Sequence, residues 1–288
     1  MKQDKSTSRI PVAIQLLRLG LGGLSAISPR LAGRWVYHLW FATHRFAEPK
    51  RETRWREQAQ QFTLPHEYGP LAMYSWGKGP TVLLVHGWNG RGTQMGRFAV
   101  PLVEAGYRAI AFDAPGHGRT PGNCSTIFRI VDAVNVIADE FGPLKGIVTH
   151  SFGAMVIARA LRTHLTAERI VCINPAAQLD FLIDSFCGTL GITPSTRKAF
   201  LQRLQKHYGT DIGKEISADE NVVGLSIPAL IIHDVDDSEV PWQQGERLAN
   251  AWPAARFMQT QGLGHTRILR DRATVQEVAN FITDDNTG

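Results

Sequence analysis

Cysteine is scarce in this chain. Cys124, Cys172 and Cys187 are three among 288 residues, far apart and odd in number. Such a set builds no disulfide framework and favours a reducing compartment, the cytoplasm. There is no C-x-x-C, no H-E-x-x-H, no phosphate-binding G-x-x-x-x-G-K-[ST] loop and no G-x-G-x-x-G after a strand. Zinc-protease, P-loop and dinucleotide chemistry therefore have no footing. An uninterrupted apolar run of about 20 residues, the length of a membrane span, is also missing. The nearest candidate, residues 10–27, carries Arg18 in its middle and glycines after it. The same interruption speaks against a cleaved signal peptide.

Acidic residues are unevenly scarce. Residues 1–60 hold eleven Lys/Arg against four Asp/Glu, a net of +7, and the remainder holds twenty against twenty-two. The basic excess thus belongs to the N-terminal segment. No basic stripe with base-stacking groups follows, so no nucleic-acid partner is expected. A basic segment beside apolar residues points instead to peripheral membrane contact. In residues 10–27, Ile10, Ala13, Ile14, Leu17, Leu21 and Leu24 share one helical face. Ser28-Pro29 then reads as an N-cap and helix start. In that second helix Leu31, Trp35 and Leu39 form an apolar face, while Arg34, His38 and Arg45 form a polar one. The preferred reading is a helical pair packed on the rest of the chain, and the alternative is reversible contact with a membrane surface.

From about residue 69 onward strands and helices alternate, which implies a mostly parallel sheet. Strands are expected at 71–76, 81–86, 108–112, 146–150, 169–173, 228–233 and 256–260. Helices are expected at 94–104, 126–141 and 152–162. Residues 177–226 break the rhythm with helical, mixed-polarity sequence.

The stretch Ile147-Val148-Thr149-His150-Ser151-Phe152-Gly153-Ala154 is the most telling. An apolar run ends in a serine among small residues, and a helix-forming run follows. A sharp strand-to-helix turn there would expose the hydroxyl and aim the following backbone N–H groups at the group it attacks. The pattern is T-x-S-x-G where G-x-S-x-G is usual. The plainer alternative is a serine N-cap. A serine hydroxyl needs a base to take its proton and a third group to orient that base. Downstream, an apolar strand ends at His233 and opens a loop with Asp234, Asp236 and Asp237. A later strand leads into Gly262-Leu263-Gly264-His265. Serine, acid and histidine thus follow one another, each just past a strand end, where catalytic groups of open parallel sheets gather.

On these segments the chain resembles the α/β-hydrolase superfamily, over roughly residues 70–283. Leu83-Leu84-Val85-His86-Gly87-Trp88 is similar to the family's strand ending in His-Gly. Phe112-Asp113-Ala114-Pro115-Gly116-His117-Gly118 is similar to its D-x-P-G-H-G loop. The Ser151 turn and the H-x-x-x-D-x-x-V-P pattern from His233 to Pro241, with Gly264-His265, complete the set. The departures are Thr149 for the first glycine and Asp234 for the glycine that often follows the strand histidine.

The resemblance implies an α/β-hydrolase fold: a mostly parallel, doubly wound sheet with a small helical lid and an N-terminal helical extension. The expected organisation is an extension at 1–62 and a catalytic domain at 63–288, with the lid at 177–226. It implies Ser151 as nucleophile, His265 as general base and then acid, and Asp237 as the orienting acid, with Asp236 the runner-up. The backbone N–H groups of Trp88 and Phe152 would form the oxyanion hole. Asp113 is expected to stabilise its turn, and His86 and His117 to act as structural hydrogen-bonders. The reaction needs no metal or organic cofactor. The expected activity is that of a serine hydrolase on a small-molecule carboxylic ester of short to medium acyl chain. The alternatives are a lipid- or thioester-directed hydrolase at a membrane surface and a non-catalytic binding protein of the same fold. Oligomeric state is not readable from the sequence.

Overall fold

The structure is a computed structural model, and it describes residues 11–284. Ile10, counted above on the first apolar helical face, lies outside the described residues. The chain divides into two compact units, Met1–Phe41 with Asp180–Ile212, and Ala42–Leu179 with Gly213–Gly288. The division falls after Phe41 rather than after residue 62, and residues 180–212 of the expected lid group with the N-terminal helices.

The larger unit is built on one eight-stranded sheet. In chain order its strands are β1 (Gln60–Leu64), β2 (Leu71–Trp76), β3 (Thr81–Val85), β4 (Arg108–Phe112), β5 (Leu144–His150), β6 (Ile170–Ile173), β7 (Ala229–Asp234) and β8 (Ala255–Thr260). The spatial order is β1-β2-β4-β3-β5-β6-β7-β8. β2 runs antiparallel to β1 and β4, and every pairing from β4 through β8 is parallel. This is the α/β-hydrolase fold. Its helices are α3 (Lys50–Gln58), α4 (Gly96–Glu104), α5 (Ile127–Phe141), α6 (Gly153–Leu161), α10 (Ala218–Asn221), α11 (Trp242–Ala251), α12 (Gly264–Arg267) and α13 (Arg272–Thr283), with most of α9 (Ile212–Ile216). Polar side chains open several of them: Thr126 accepts from Arg129 N–H, and Asp271 from Thr274 N–H.

Strand alternation sets the core. Leu84, Val148, Val171 and Ile232 point to one face and pack with Phe98 and Leu102 of α4 and Val278 and Ile282 of α13. Their neighbours Leu83, Ile147, Ile170 and Ile231, also fully buried, point to the other, where α6 lies against β5 and α11 against β7. Parallel strands covered on both faces read as continuous apolar runs, which is why the sequence exposes them. β1 is the exception. Its QQFTL sequence forms a mostly exposed edge strand, and the expected strand series began only at residue 71.

The smaller unit holds α1 (Val12–Ile27), α2 (Pro29–Trp40), most of α7 (Leu179–Leu190) and α8 (Pro194–Tyr208). Ser28 accepts from Leu31 N–H and caps α2, as its Ser-Pro start implies. α2 meets α8 through small residues: Ala32, Gly33 and Val36 are buried. A Cβ on Gly33 would stand 2.7 Å from that of Ala199, so only glycine permits this approach. Of the expected apolar face of this helix only Leu39 is half-buried. Leu31 and Trp35 are exposed, and Arg45 lies beyond the helix end. Trp40 instead stacks edge-on against Phe186, and Ser25 shares a 2.7 Å hydrogen bond with Thr193. Arg18, the charge that interrupts the apolar run, donates to the Thr189 carbonyl at 2.9 Å.

Candidate active site

The site is assembled at the carboxyl ends of β3, β5, β6, β7 and β8. Ser151 immediately follows β5 and has φ 54°, a left-handed conformation costly for a residue with a Cβ, on the order of 1–3 kcal/mol. The turn is held from both sides. Ser151 N–H donates to Ile173 O at 2.9 Å, and its own carbonyl accepts from Ala154 and Ala176. Gly153 suits the crowding here, because a Cβ would meet the Val85 and His86 carbonyls at 3.0 and 3.2 Å. Thr149 is accommodated where glycine is usual: it is fully buried and its hydroxyl donates to Val171 O at 3.3 Å.

His265 and Asp237 come together across 28 positions of sequence, with His265 Nδ1 2.7 Å from Asp237 Oδ2. The carboxylate is further held by the N–H groups of Glu239 and Val240, both donating to Oδ1. His233 Nε2 lies 3.6 Å from Oδ2 and 2.9 Å from the Val240 carbonyl. Burial works to raise the Asp237 pKa, but the His233 and His265 contacts outweigh it and hold the carboxyl well below the usual range. The other two loop aspartates are employed elsewhere. Asp236 accepts from Gly262 N–H at 2.9 Å. Asp234 accepts from the N–H groups of Leu263 and Gly264 and from the Thr260 hydroxyl, and so fixes the loop that carries His265.

Two further residues hold the histidine loop, and sequence reading did not single out either. His150 donates from Nε2 to the His265 carbonyl at 2.9 Å, and the two rings lie 4.6 Å apart. Burial, reinforced by His265, lowers the His150 pKa to about 3, so it stays neutral. Asn174, with φ 45° just past β6, donates to the Gly264 and His265 carbonyls and accepts from Asp234 N–H. Polar residues at two consecutive strand ends were the available signal.

The loop after β3 faces the turn. A Cβ on Gly87 would stand 3.0 Å from that of Ser151 and 3.2 Å from the His150 carbonyl, so a side chain there would crowd the turn. Among the described residues neither Trp88 N–H nor Phe152 N–H has an acceptor, and the two rings pack edge to face at 5.3 Å. His86 donates from Nδ1 to Gly87 O and accepts at Nε2 from Ala114 N–H, tying this loop to the one after β4. Burial lowers its pKa to about 4. His117 donates to Pro115 O, and burial lowers its pKa to about 3. Asp113 accepts from Gly92 N–H, Arg119 N–H and the Tyr74 hydroxyl, which is a turn-stabilising pattern.

Comparison with known proteins agrees with this architecture. The model of the alpha/beta hydrolase family matches residues 82–278. Lysophosphatidylserine lipase ABHD12 of Xenopus tropicalis is 27% identical over 229 residues, 70% of this chain and 57% of that protein. A serine hydrolase-like protein of Danio rerio is 33% identical over 113 residues, 36% of this chain and 34% of its own. The chain thus spans between about a third and just over half the length of these relatives. Among solved structures, a bromoperoxidase from Bacillus anthracis superposes with a TM-score of 0.61 at 20% identity, over 78% of this chain and all of that one. At that identity the likeness concerns the fold. The protein belongs to the alpha/beta hydrolase family.

Proposed function

We propose that the protein is a serine hydrolase that cleaves a carboxylic ester through Ser151, His265 and Asp237. The observation that carries this reading is the 2.7 Å contact between His265 Nδ1 and Asp237, with the His265 ring 4.6 Å from that of His150, the residue before the left-handed Ser151. With Nδ1–H donating to the carboxylate, Nε2 is the ring nitrogen left to act as base, 3.9 Å from Glu239 Oε2. It takes the Ser151 hydroxyl proton as Oγ attacks the acyl carbonyl, and Asp237 stabilises the cation that forms. The oxyanion is received by the unpaired N–H groups of Trp88 and Phe152. Collapse expels the alcohol, which takes the proton from His265. Water, activated by the same imidazole, then releases the acid from the acyl-enzyme.

A lipid ester is the second reading, favoured by the lysophosphatidylserine lipase relatives. A series of p-nitrophenyl esters of rising acyl length separates it from a short-chain preference. Ser151→Ala should lower kcat by about 10⁶ on any of them, as loss of the nucleophile does in a comparable triad. Turnover retained in folded, pure Ser151→Ala protein would end the proposal.

A further inference from the structure

α1 carries large apolar residues on two opposite sides, and the two differ in burial. Leu21 and Ser25 are buried, on the side that also carries Leu17 and Leu24. On the opposite side Val12, Leu16, Leu19 and Ile27 are 70%, 63%, 73% and 82% exposed. At 3.6 residues per turn these four fall within an arc of about 80°. The glycines in the same helix do not serve a close contact, since a Cβ on Gly20, Gly22 or Gly23 would meet nothing within 4 Å. α2 continues the pattern with Leu31 and Trp35, 51% and 61% exposed one turn apart, beside exposed Arg30 and Arg34. Single exposed apolar residues are ordinary, but four large ones on one helix face, with two more exposed on the next helix, mark an interaction surface.

Charge says what covers it. No Asp or Glu occurs between Asp4 and Glu48, so nothing on these helices offsets Arg30 and Arg34. A second copy of the chain would bring the same basic patch against itself, because a two-fold contact is isologous. A surface that accepts apolar side chains and supplies negative charge fits both properties. No described helix is long and apolar enough to cross a membrane, and α1 has 16 residues. An exposed apolar helix face with arginines on the adjoining helix suits a position in the plane of the interface. We propose that the outer face of α1 and α2, led by Leu16, Leu19 and Trp35 and flanked by Arg30 and Arg34, docks on an anionic membrane surface. The proposal stands apart from the proposed reaction, because its test reads binding and not turnover.

The test is co-sedimentation of the full chain with phosphatidylserine–phosphatidylcholine vesicles and with phosphatidylcholine vesicles, at low and high salt. The protein should bind the anionic vesicles and be released by salt. Leu16→Glu/Leu19→Glu should lower the affinity at least tenfold, by placing charge where the helix enters the interface. Arg30→Gln/Arg34→Gln, which removes only exposed charge, should lower it about fivefold per arginine at low salt. Circular dichroism checks the fold of both variants, and the arginine pair decides alone if the glutamate pair unfolds. Absence of binding, salt-independent binding to neutral vesicles, or equal binding by wild type and both variants would overturn the proposal. So would a concentration-dependent dimer in size-exclusion chromatography that Leu16→Glu/Leu19→Glu abolishes, since a second copy would then cover the face.

Discussion

At the strand ends around Ser151, polar side chains are tied into one hydrogen-bonded set. Asp237, Asp234, His150 and Asn174 all serve the loop of His265, and His86 and Asp113 brace the loops beside it. On α1 and α2 the relation is reversed: large apolar side chains are exposed, and Arg18, the charge within α1, is drawn onto carbonyls. A preorganised polar set of that kind is what transition-state stabilisation requires, because its dipoles are already aligned before charge develops. An unsatisfied apolar face has the opposite value. It contributes little until a second surface arrives.

The sharpest way to break this comparison is at Asp237. Asp237→Asn should lower kcat by about 10⁴, the cost of losing the tautomer-fixing acid in a related triad. Asp236→Asn keeps an amide oxygen that can accept from Gly262 N–H and removes only the charge, so it should stay within about tenfold of wild type. Steady-state kinetics on one ester decides between them. A dead Asp236→Asn and an active Asp237→Asn would reverse the two roles.

The helices offer a matched pair two residues apart. Leu21→Ala removes a side chain that is 7% exposed and should cost about 2–5 kcal/mol of stability. Leu19→Ala, at 73% exposed, should be within about 0.5 kcal/mol of wild type. Equal losses in denaturant melts would mean that both faces of α1 are packed in solution.

The buried histidines make the strand-end region sensitive to acid. Burial lowers the pKa of His86 to about 4 and those of His117 and His150 to about 3, against about 6.5 in an unfolded chain. Between these values the unfolded state binds more protons, so stability falls as pH drops below about 6.5. Each such histidine costs about 2 kcal/mol by pH 5. Asp113, whose pKa burial raises, offsets part of this as the pH falls further. Thermal melts between pH 7 and pH 5 should show the fall, and His150→Gln should lessen it. A flat profile would mean that these rings are protonated or solvated in the folded state.

Much of the strand-end region was legible because it obeys local rules. A serine forced into a left-handed turn favours Gly153 behind it, and parallel strands buried on both faces announce themselves as apolar runs. The Asp237–His265 contact followed from spacing within a known pattern. His150 and Asn174 were missed because their roles exist only across about a hundred residues of chain, where Asn174 meets Gly264 and His150 meets His265. β1 was missed because an edge strand has no need of apolar residues. On α1, the face through Leu17, Leu21 and Leu24 was readable. Periodicity could not tell that the other side, equally apolar, would stay uncovered. On α2, Gly33 decided the packing face, and large residues were the wrong guide.

The most direct measurement is covalent. Reaction of the folded full chain with a fluorophosphonate, followed by intact mass and peptide mapping, should give a single adduct on Ser151, absent from Ser151→Ala. An unmodified Ser151 in folded protein, or an adduct that persists in Ser151→Ala, would show that the strained serine at the end of β5 is not an activated nucleophile.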